Sequence, residues 1–283
     1  MRSISMVLAM FGCLALTACP ATDTDESDSD TDTDTDTDTD TAAECTQEPY
    51  TGDNYVLAGT VKDASGNPIE CAAMFLCNYD ICYGINSATD GTYGYIAGTD
   101  ASFALKVKAS GYPTASTPIV MGDGASTRSL DIVLPEYDMN MDTPQASGTH
   151  ELAPGLSLTF AGSTLSHPDG TPVDKAGGAF VASADRLPID EAPPGGEIVG
   201  VWYLSPYDAA SSGGDMPLDI ADAAGLGLAD GHQVTAWVHS YATFTKTQAL
   251  TTQWVEAGTA TVADGKITGL AVPTIATVVL VKE

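Results

Sequence analysis

Positive charge is scarce in this sequence. Ten Lys and Arg stand against 38 Asp and Glu over 283 residues, a formal net charge of −28. No basic patch occurs along the chain, which excludes nucleic acid as a partner. Long apolar runs are missing as well. The run from Ile4 to about Leu16 spans roughly 13 residues, whereas a membrane-spanning helix needs about 20. No segment sustains the 3.6-residue apolar period of an amphipathic helix, so a helical bundle is excluded. Enzyme signatures are absent too: there is no HExxH or HxxE zinc pattern, no GxSxG nucleophile elbow, no Walker loop and no GxGxxG fingerprint. No cofactor is implied. What is abundant is Thr, Ser, 28 Gly and 16 Pro, the composition of short strands joined by many turns.

The N-terminus reads as a targeting segment. Arg2 supplies a positive n-region, the Ile4–Leu16 run follows, and Leu16-Thr17-Ala18-Cys19 ends it. This resembles the lipobox of bacterial lipoproteins: a branched apolar residue, two small residues, then the cysteine whose thiol accepts the lipid. The resemblance implies a signal peptide over 1–18, with lipidated Cys19 as the mature N-terminus and the lipid bilayer as a partner. Pro20 follows in place of the Asp that would favour inner-membrane retention, so the expected location is the cell envelope at the outer membrane. The alternative is an ordinary signal peptide cut nearby, with Cys19 in a disulfide.

From Thr22 to Thr41 the chain is Thr and Asp with two Ser and one Glu, and it carries ten acidic groups. With nothing apolar to bury, ordering it has no compensation, so residues 19–44 are expected to form a disordered stalk. Like charges extend it. About 30 residues reach at most about 100 Å when fully extended, and would average near 30 Å as a flexible coil. The stretch lacks the Gly and Glu positions of an EF-hand loop, so a spacer is the expected role.

Cys45, Cys71, Cys77 and Cys82 follow the stalk. An even count in an exported chain favours two disulfides. Cys71 and Cys77 would lie about 20 Å apart on one continuous strand and could not pair. Cys77 and Cys82 flank Asn78-Tyr79-Asp80-Ile81, a plausible hairpin loop. The expected pairs are Cys77–Cys82 and Cys45–Cys71, with a zinc site as the alternative.

Residues 45–137 alternate between short apolar runs and turn clusters. Phe103, Leu105 and Val107 fall on one face of a strand, and Lys106 and Lys108 on the other. Here Gly59-x-Val61-x-Asp63, Gly66-x-Pro68, Thr89-Asp90-Gly91-x-Tyr93 and Gly111-Tyr112 resemble the carboxypeptidase regulatory-like domain. That resemblance covers roughly 80 residues and implies a transthyretin-like β-sandwich serving as a non-catalytic module. The cysteines are additions to its pattern.

Residues 138–148 read as a linker, and 149–283 as a second β-sandwich. Ile198 to Leu204 and Val278 to Val281 are near-continuous apolar runs of the kind found in buried strands, and Asp264-Gly265 is a hairpin signal. Tyr203-Leu204-Ser205-Pro206, Met216-Pro217-Leu218, Leu228-Ala229-Asp230-Gly231 and Trp237 loosely resemble ZU5-type modules, whose usual partner is another protein. The expected fold is therefore all-β, with two β-sandwich domains after a lipidated N-terminus and an acidic stalk.

Candidate site residues are few. Trp237, His239 and Tyr241 share a face and could form an aromatic sugar-binding platform or one face of a sandwich core. His150, His167 and His232 sit in turn-like segments. Asp80, Asp90 and Asp100, or Asp215, Asp219 and Asp222, could hold Ca²⁺, though turn carboxylates are commonly just solvated, and no metal site is assigned. The sequence thus predicts a membrane-anchored, non-catalytic binding or structural lipoprotein with a protein or glycan ligand. The alternative is a carbohydrate-active or hydrolytic protein whose site is built from scattered residues.

Overall fold

The computed structural model describes residues 57–77, 82–95, 102–120, 128–141, 147–160, 164–182, 192–239 and 253–283. The expected signal peptide, Cys19, the acidic stalk and Cys45 lie outside them, as do Asp80, Asp100 and Tyr241. The described chain is all-β, and the one helical element among those residues is a 3-10 turn, Ala224–Leu226.

The first module holds β1 (Leu57–Asp63), β2 (Ala73–Cys77), β3 (Cys82–Asn86), β4 (Thr92–Tyr95), β5 (Ser102–Lys108), β6 (Ala115–Val120), β7 (Arg128–Ser129) and β8 (Ile132–Leu134). In one sheet β1 pairs antiparallel with β4 and parallel with β7 and β8. The other runs β3-β2-β5-β6, antiparallel throughout. Alternation decides which face is inside. Phe103, Leu105 and Val107 of β5 are buried, whereas Lys106 is half-buried and Lys108 exposed on the opposite face.

Turn chemistry fixes the corners. The Asp63 carboxylate accepts from Ser65 N, Asn67 N and Asn67 Nδ2, each at 2.8 Å. The Asn67 side-chain bond leads the effects that hold this carboxyl below the ordinary carboxylate range. Asp90 serves the next turn in the same way through Thr92 Oγ1 at 2.6 Å and Thr92 N at 2.9 Å. Gly59 has a steric reason. A Cβ there would sit 2.0 Å from Leu130 O, the same oxygen that accepts from the Tyr93 hydroxyl at 2.7 Å. Gly59→Ala is expected to push β1 and the Leu130 backbone apart and to destabilise the fold by about 1–3 kcal/mol. A urea-unfolding midpoint equal to wild type would show that this approach is not tight.

The second module holds β9 (Met139–Met141), β10 (Gly148–Ala153), β11 (Leu156–Phe160), β12 (Leu165–Ser166), β13 (Ala176–Val181), β14 (Glu197–Ser205), β15 (Ala210–Ser211), β16 (Met216–Ile220), β17 (Gln233–His239), β18 (Val255–Thr261), β19 (Ile267–Val272) and β20 (Thr277–Lys282). A six-stranded sheet runs β18-β17-β20-β14-β13-β9 and a four-stranded sheet β10-β11-β16-β19, while β12 and β15 form a small pair. Asp264 and Gly265 turn tightly, with φ of 52° and 70°. The expected reversal forms there, with Ala263 and Lys266 exchanging both N–H···O bonds at 3.0 Å, but beyond that bridge β18 pairs with β17 and β19 with β16. The turn chemistry was local, but the choice of partner strand was not.

The six-stranded sheet is covered on both faces. Trp202, Leu204, Val234, Ala236, Val238, Val278 and Leu280 pack towards the four-stranded sheet in one cluster. Their alternates Val181, Val201, Tyr203, Val279 and Val281 join Leu57, Met74, Phe103 and Ile119 of the first module in the other. The near-continuous apolar runs of β14 and β20 follow from this, since a strand buried on both faces has no solvated side for polar residues. Two sandwiches with separate cores were expected. In the structure one cluster draws residues from both modules, and the described residues fall in one compact unit.

The expected linker at 138–148 is partly strand. Met139–Met141 pair with β13, Asp138 N donates to Gly178 O at 3.1 Å, and Asp138 Oδ2 accepts from Phe180 N at 2.8 Å. Three residues are too few to show a period-two pattern, so the strand could not be read from sequence.

Candidate functional site

The second module also covers the edge of β6. In an antiparallel sheet every second N–H of an edge strand points outward. On β6 and just before it these belong to Thr114, Ser116 and Pro118. Thr114 N donates to Ser205 Oγ at 3.5 Å and Ser116 N to Thr277 Oγ1 at 3.2 Å, while Pro118 has no N–H to satisfy. Hydroxyls of β14 and β20 thus take the place of a further strand.

Beside this seam opens a cleft of about 810 Å³, walled by both modules. The first contributes Lys106 and Lys108 from the outward face of β5, the turn through Gly111, Tyr112 and Thr114, and Tyr137. The second contributes the turn from His167 to Thr171, then Lys175 to Gly177, and Ser205 to Asp208 after β14. The 167–171 turn is set by Asp169, whose carboxylate accepts from Thr171 N at 2.9 Å and Thr171 Oγ1 at 2.7 Å. Those bonds, led by the hydroxyl, hold its carboxyl below the ordinary range. The Ser205–Pro206 peptide is cis, and Asp208 has φ of 67° with its N–H donated to Ile275 O at 2.8 Å. Tyr207, between Pro206 and Asp208, lies at the cleft wall. Lys106 Nζ lies 5.1 Å from the Tyr207 ring and 5.3 Å from the Phe75 ring, within cation–π reach of both.

Below Tyr207 runs a buried polar chain. The Tyr207 hydroxyl donates to Ser116 Oγ at 2.9 Å, and Ser116 Oγ lies 2.6 Å from His239 Nδ1. Which of Ser116 Oγ and His239 Nδ1 carries the shared hydrogen is set by the His239 tautomer. A serine beside a histidine is a nucleophile–base pairing in form. Here Ser116 is 2% exposed and His239 0%, so the pair lies inside the junction between modules rather than on a surface open to substrate.

The candidate residues read from sequence are distributed differently from a single ligand face. His239 is buried with its ring 5.4 Å from Trp254, edge to face. Trp237 is partly buried against the shared cluster. The Trp237–His239 face of β17 therefore meets the first module and is not an open platform. Neither alternation nor composition could show what covers it. Cys77 and Cys82 form a disulfide, as expected. Cys71 is also disulfide-bonded, and Cys45 lies outside the described residues. His150 is on strand β10 rather than in a turn and stacks on Phe160 at 5.2 Å. His232 Nδ1 accepts from Ala229 N at 3.0 Å. Among the described residues no three His, Cys, Asp or Glu are gathered to hold a metal ion.

No family model matches this sequence. No curated protein is similar to it. Among solved structures, the Bacillus anthracis TIE protein aligns at 10% identity and a TM-score of 0.27, over 77% of this chain and 43% of its own. The chain thus spans less than half of that protein. A Bacteroides uniformis protein, provisionally described as carbohydrate binding, aligns at 6% identity and a TM-score of 0.24, over 80% of this chain and 78% of its own. Similarity of this size assigns neither a family nor a ligand.

The cleft itself escaped the sequence reading. Lys106 and Lys108 were visible as the polar face of β5, but Lys175 and Tyr207 come from distant segments. The signal that could have pointed to Lys175 is the rarity of cations: where only ten exist, each is worth placing in the fold.

Proposed function

We propose that the protein is a lipid-anchored lipoprotein of the bacterial cell envelope, held at the outer membrane through Cys19, with a non-catalytic binding module as its folded part. The cleft between the modules is its ligand site. In this reading the Thr22–Thr41 stretch is a spacer that lifts the module clear of lipid headgroups, and the 45–137 module plays the structural part that its carboxypeptidase regulatory-like resemblance implies. The observation that carries the proposal is the cleft. It is concave, large enough for a small ligand or a chain of sugar rings, and lined by aromatic, cationic and hydroxyl groups drawn from two modules. The hydrolytic alternative would rest on Ser116 and His239, and their burial speaks against it.

An occluding substitution tests the site. Pro168 is exposed at the cleft wall and donates no backbone hydrogen bond. Pro168→Trp is expected to leave the melting temperature unchanged and to erase the signals that wild-type protein gives on a glycan array. Identical array profiles for the two proteins would remove the cleft from consideration.

A further inference from the structure

We propose that the cleft takes an anionic oligosaccharide, one bearing carboxylate or sulfate groups, with Lys106, Lys108 and Lys175 as its charge partners and Tyr112 and Tyr137 as its stacking surfaces. The proposal rests on the reading of the cleft as the ligand site.

The distribution of charge is the first ground. Among the described residues three of seven cations line the cleft, against two of 18 acidic residues, Asp169 and Asp208. Elsewhere the chain is overwhelmingly acidic, so this is a local reversal of sign. Salt screens the distant carboxylates beyond about 8 Å at physiological ionic strength, leaving an anion in the cleft to respond mainly to the lysines beside it. Asp169 is committed to Thr171, and Asp208 is 7% exposed.

The seat of Lys106 is the second. Its ammonium lies over the Tyr207 and Phe75 rings. Burial pushes its pKa down, and Asp208 acts in the opposite sense. A partly desolvated ammonium gains more from an incoming anion than a fully hydrated one, because less water must be displaced and the local dielectric is lower. Lys108 and Lys175 are exposed and reach the ligand from the two opposing walls.

The third ground separates a sugar from a peptide. An acidic peptide in extended form binds by adding to a free strand edge. Both edges of β5 are taken, by β2 and β6, and the edge of β6 is met by Ser205 and Thr277. Tyr112 and Tyr137 instead line the cleft half-buried, and an aromatic ring with a polar tip suits the C–H surface and polar rim of a pyranose. The volume of about 810 Å³ lies high in the usual range of ligand sites, roughly 300–1,000 Å³, which suits more than one sugar ring.

Calorimetric titration of the full chain in non-ionic detergent tests the proposal. The probes are tetragalacturonate, its methyl ester, a chondroitin sulfate tetrasaccharide, its desulfated and carboxyl-reduced form, and hexaglutamate. At least one anionic sugar should bind, and its neutral form should bind roughly tenfold more weakly or not at all. A binding carboxylated probe with a silent sulfated one, or the reverse, identifies the anion. The double variant K108Q/K175Q changes two exposed side chains and should keep the wild-type melting temperature while losing roughly tenfold in affinity. The proposal is overturned if neither anionic sugar binds, if neutral forms bind equally well, if hexaglutamate binds more tightly than the sugars, or if the double variant binds normally. Neutral sugars that bind and are blocked by Pro168→Trp would leave the cleft as the site and remove only the anionic class. Binding untouched by Pro168→Trp would remove both.

Discussion

Expressed without the first module, the fragment 147–283 is expected to aggregate or to lose cooperative unfolding. The cut exposes one face of the six-stranded sheet, where Val201, Tyr203, Val279 and Val281 are 0% exposed in the intact protein and Val181 is 9% exposed. Burying one such side chain is worth about 1.5–3 kcal/mol. Five together reach on the order of 10 kcal/mol as an upper estimate, since some burial survives within the fragment. That is comparable with the whole stability of a typical domain, about 5–15 kcal/mol. The cut also removes β9 from beside β13 and leaves Ser205 Oγ, Thr277 Oγ1 and His239 Nδ1 without the partners they have on or beside β6. Size-exclusion chromatography and thermal denaturation followed by circular dichroism read the outcome. A monomeric fragment with a sharp, reversible transition would mean that the four-stranded sheet alone sustains the module and that the shared cluster is dispensable.

Cys19→Ser is expected to move the protein from almost wholly membrane-bound to almost wholly soluble, or to leave the precursor unprocessed. The basis is the Leu16-Thr17-Ala18-Cys19 run. A serine cannot accept the thioether-linked lipid. Each buried methylene contributes about 0.8 kcal/mol to membrane binding, and stable anchoring takes more than a single acyl chain. Loss of the lipid therefore removes the anchor entirely rather than weakening it. Among the described residues no helix is long and apolar enough to take over that task. Membrane fractionation and intact-mass measurement decide the matter. A variant that is cut before residue 19 and still sediments with membranes would discard the lipobox reading and the proposed envelope anchorage with it.

The sequence by itself determined several of the strands and turns and one covalent link. Alternation in β5 sorted Phe103, Leu105 and Val107 from Lys106 and Lys108 before any fold was known. The Asp-Gly pairs at 90–91 and 264–265 marked reversals, and the spacing of Cys77 and Cys82 suggested the disulfide that joins β2 to β3. Such features arise from steric and hydrogen-bonding rules that act over a few residues, so a few residues suffice to reveal them. Even the two-sided burial of β14 and β20 left its mark as unbroken apolar runs. What covers those runs was settled only by the tertiary structure. A hydrophobic face specifies that it must be buried but not against what, and the first module supplied the cover for Val279 and Val281, and for His239, which had stood as a candidate ligand group. The same holds for the cleft. Lys106, Lys108, Lys175 and Tyr207 meet only because the edge of β6 docks on β14 and β20, and non-directional apolar packing between distant segments leaves no short-range pattern from which that meeting could be read.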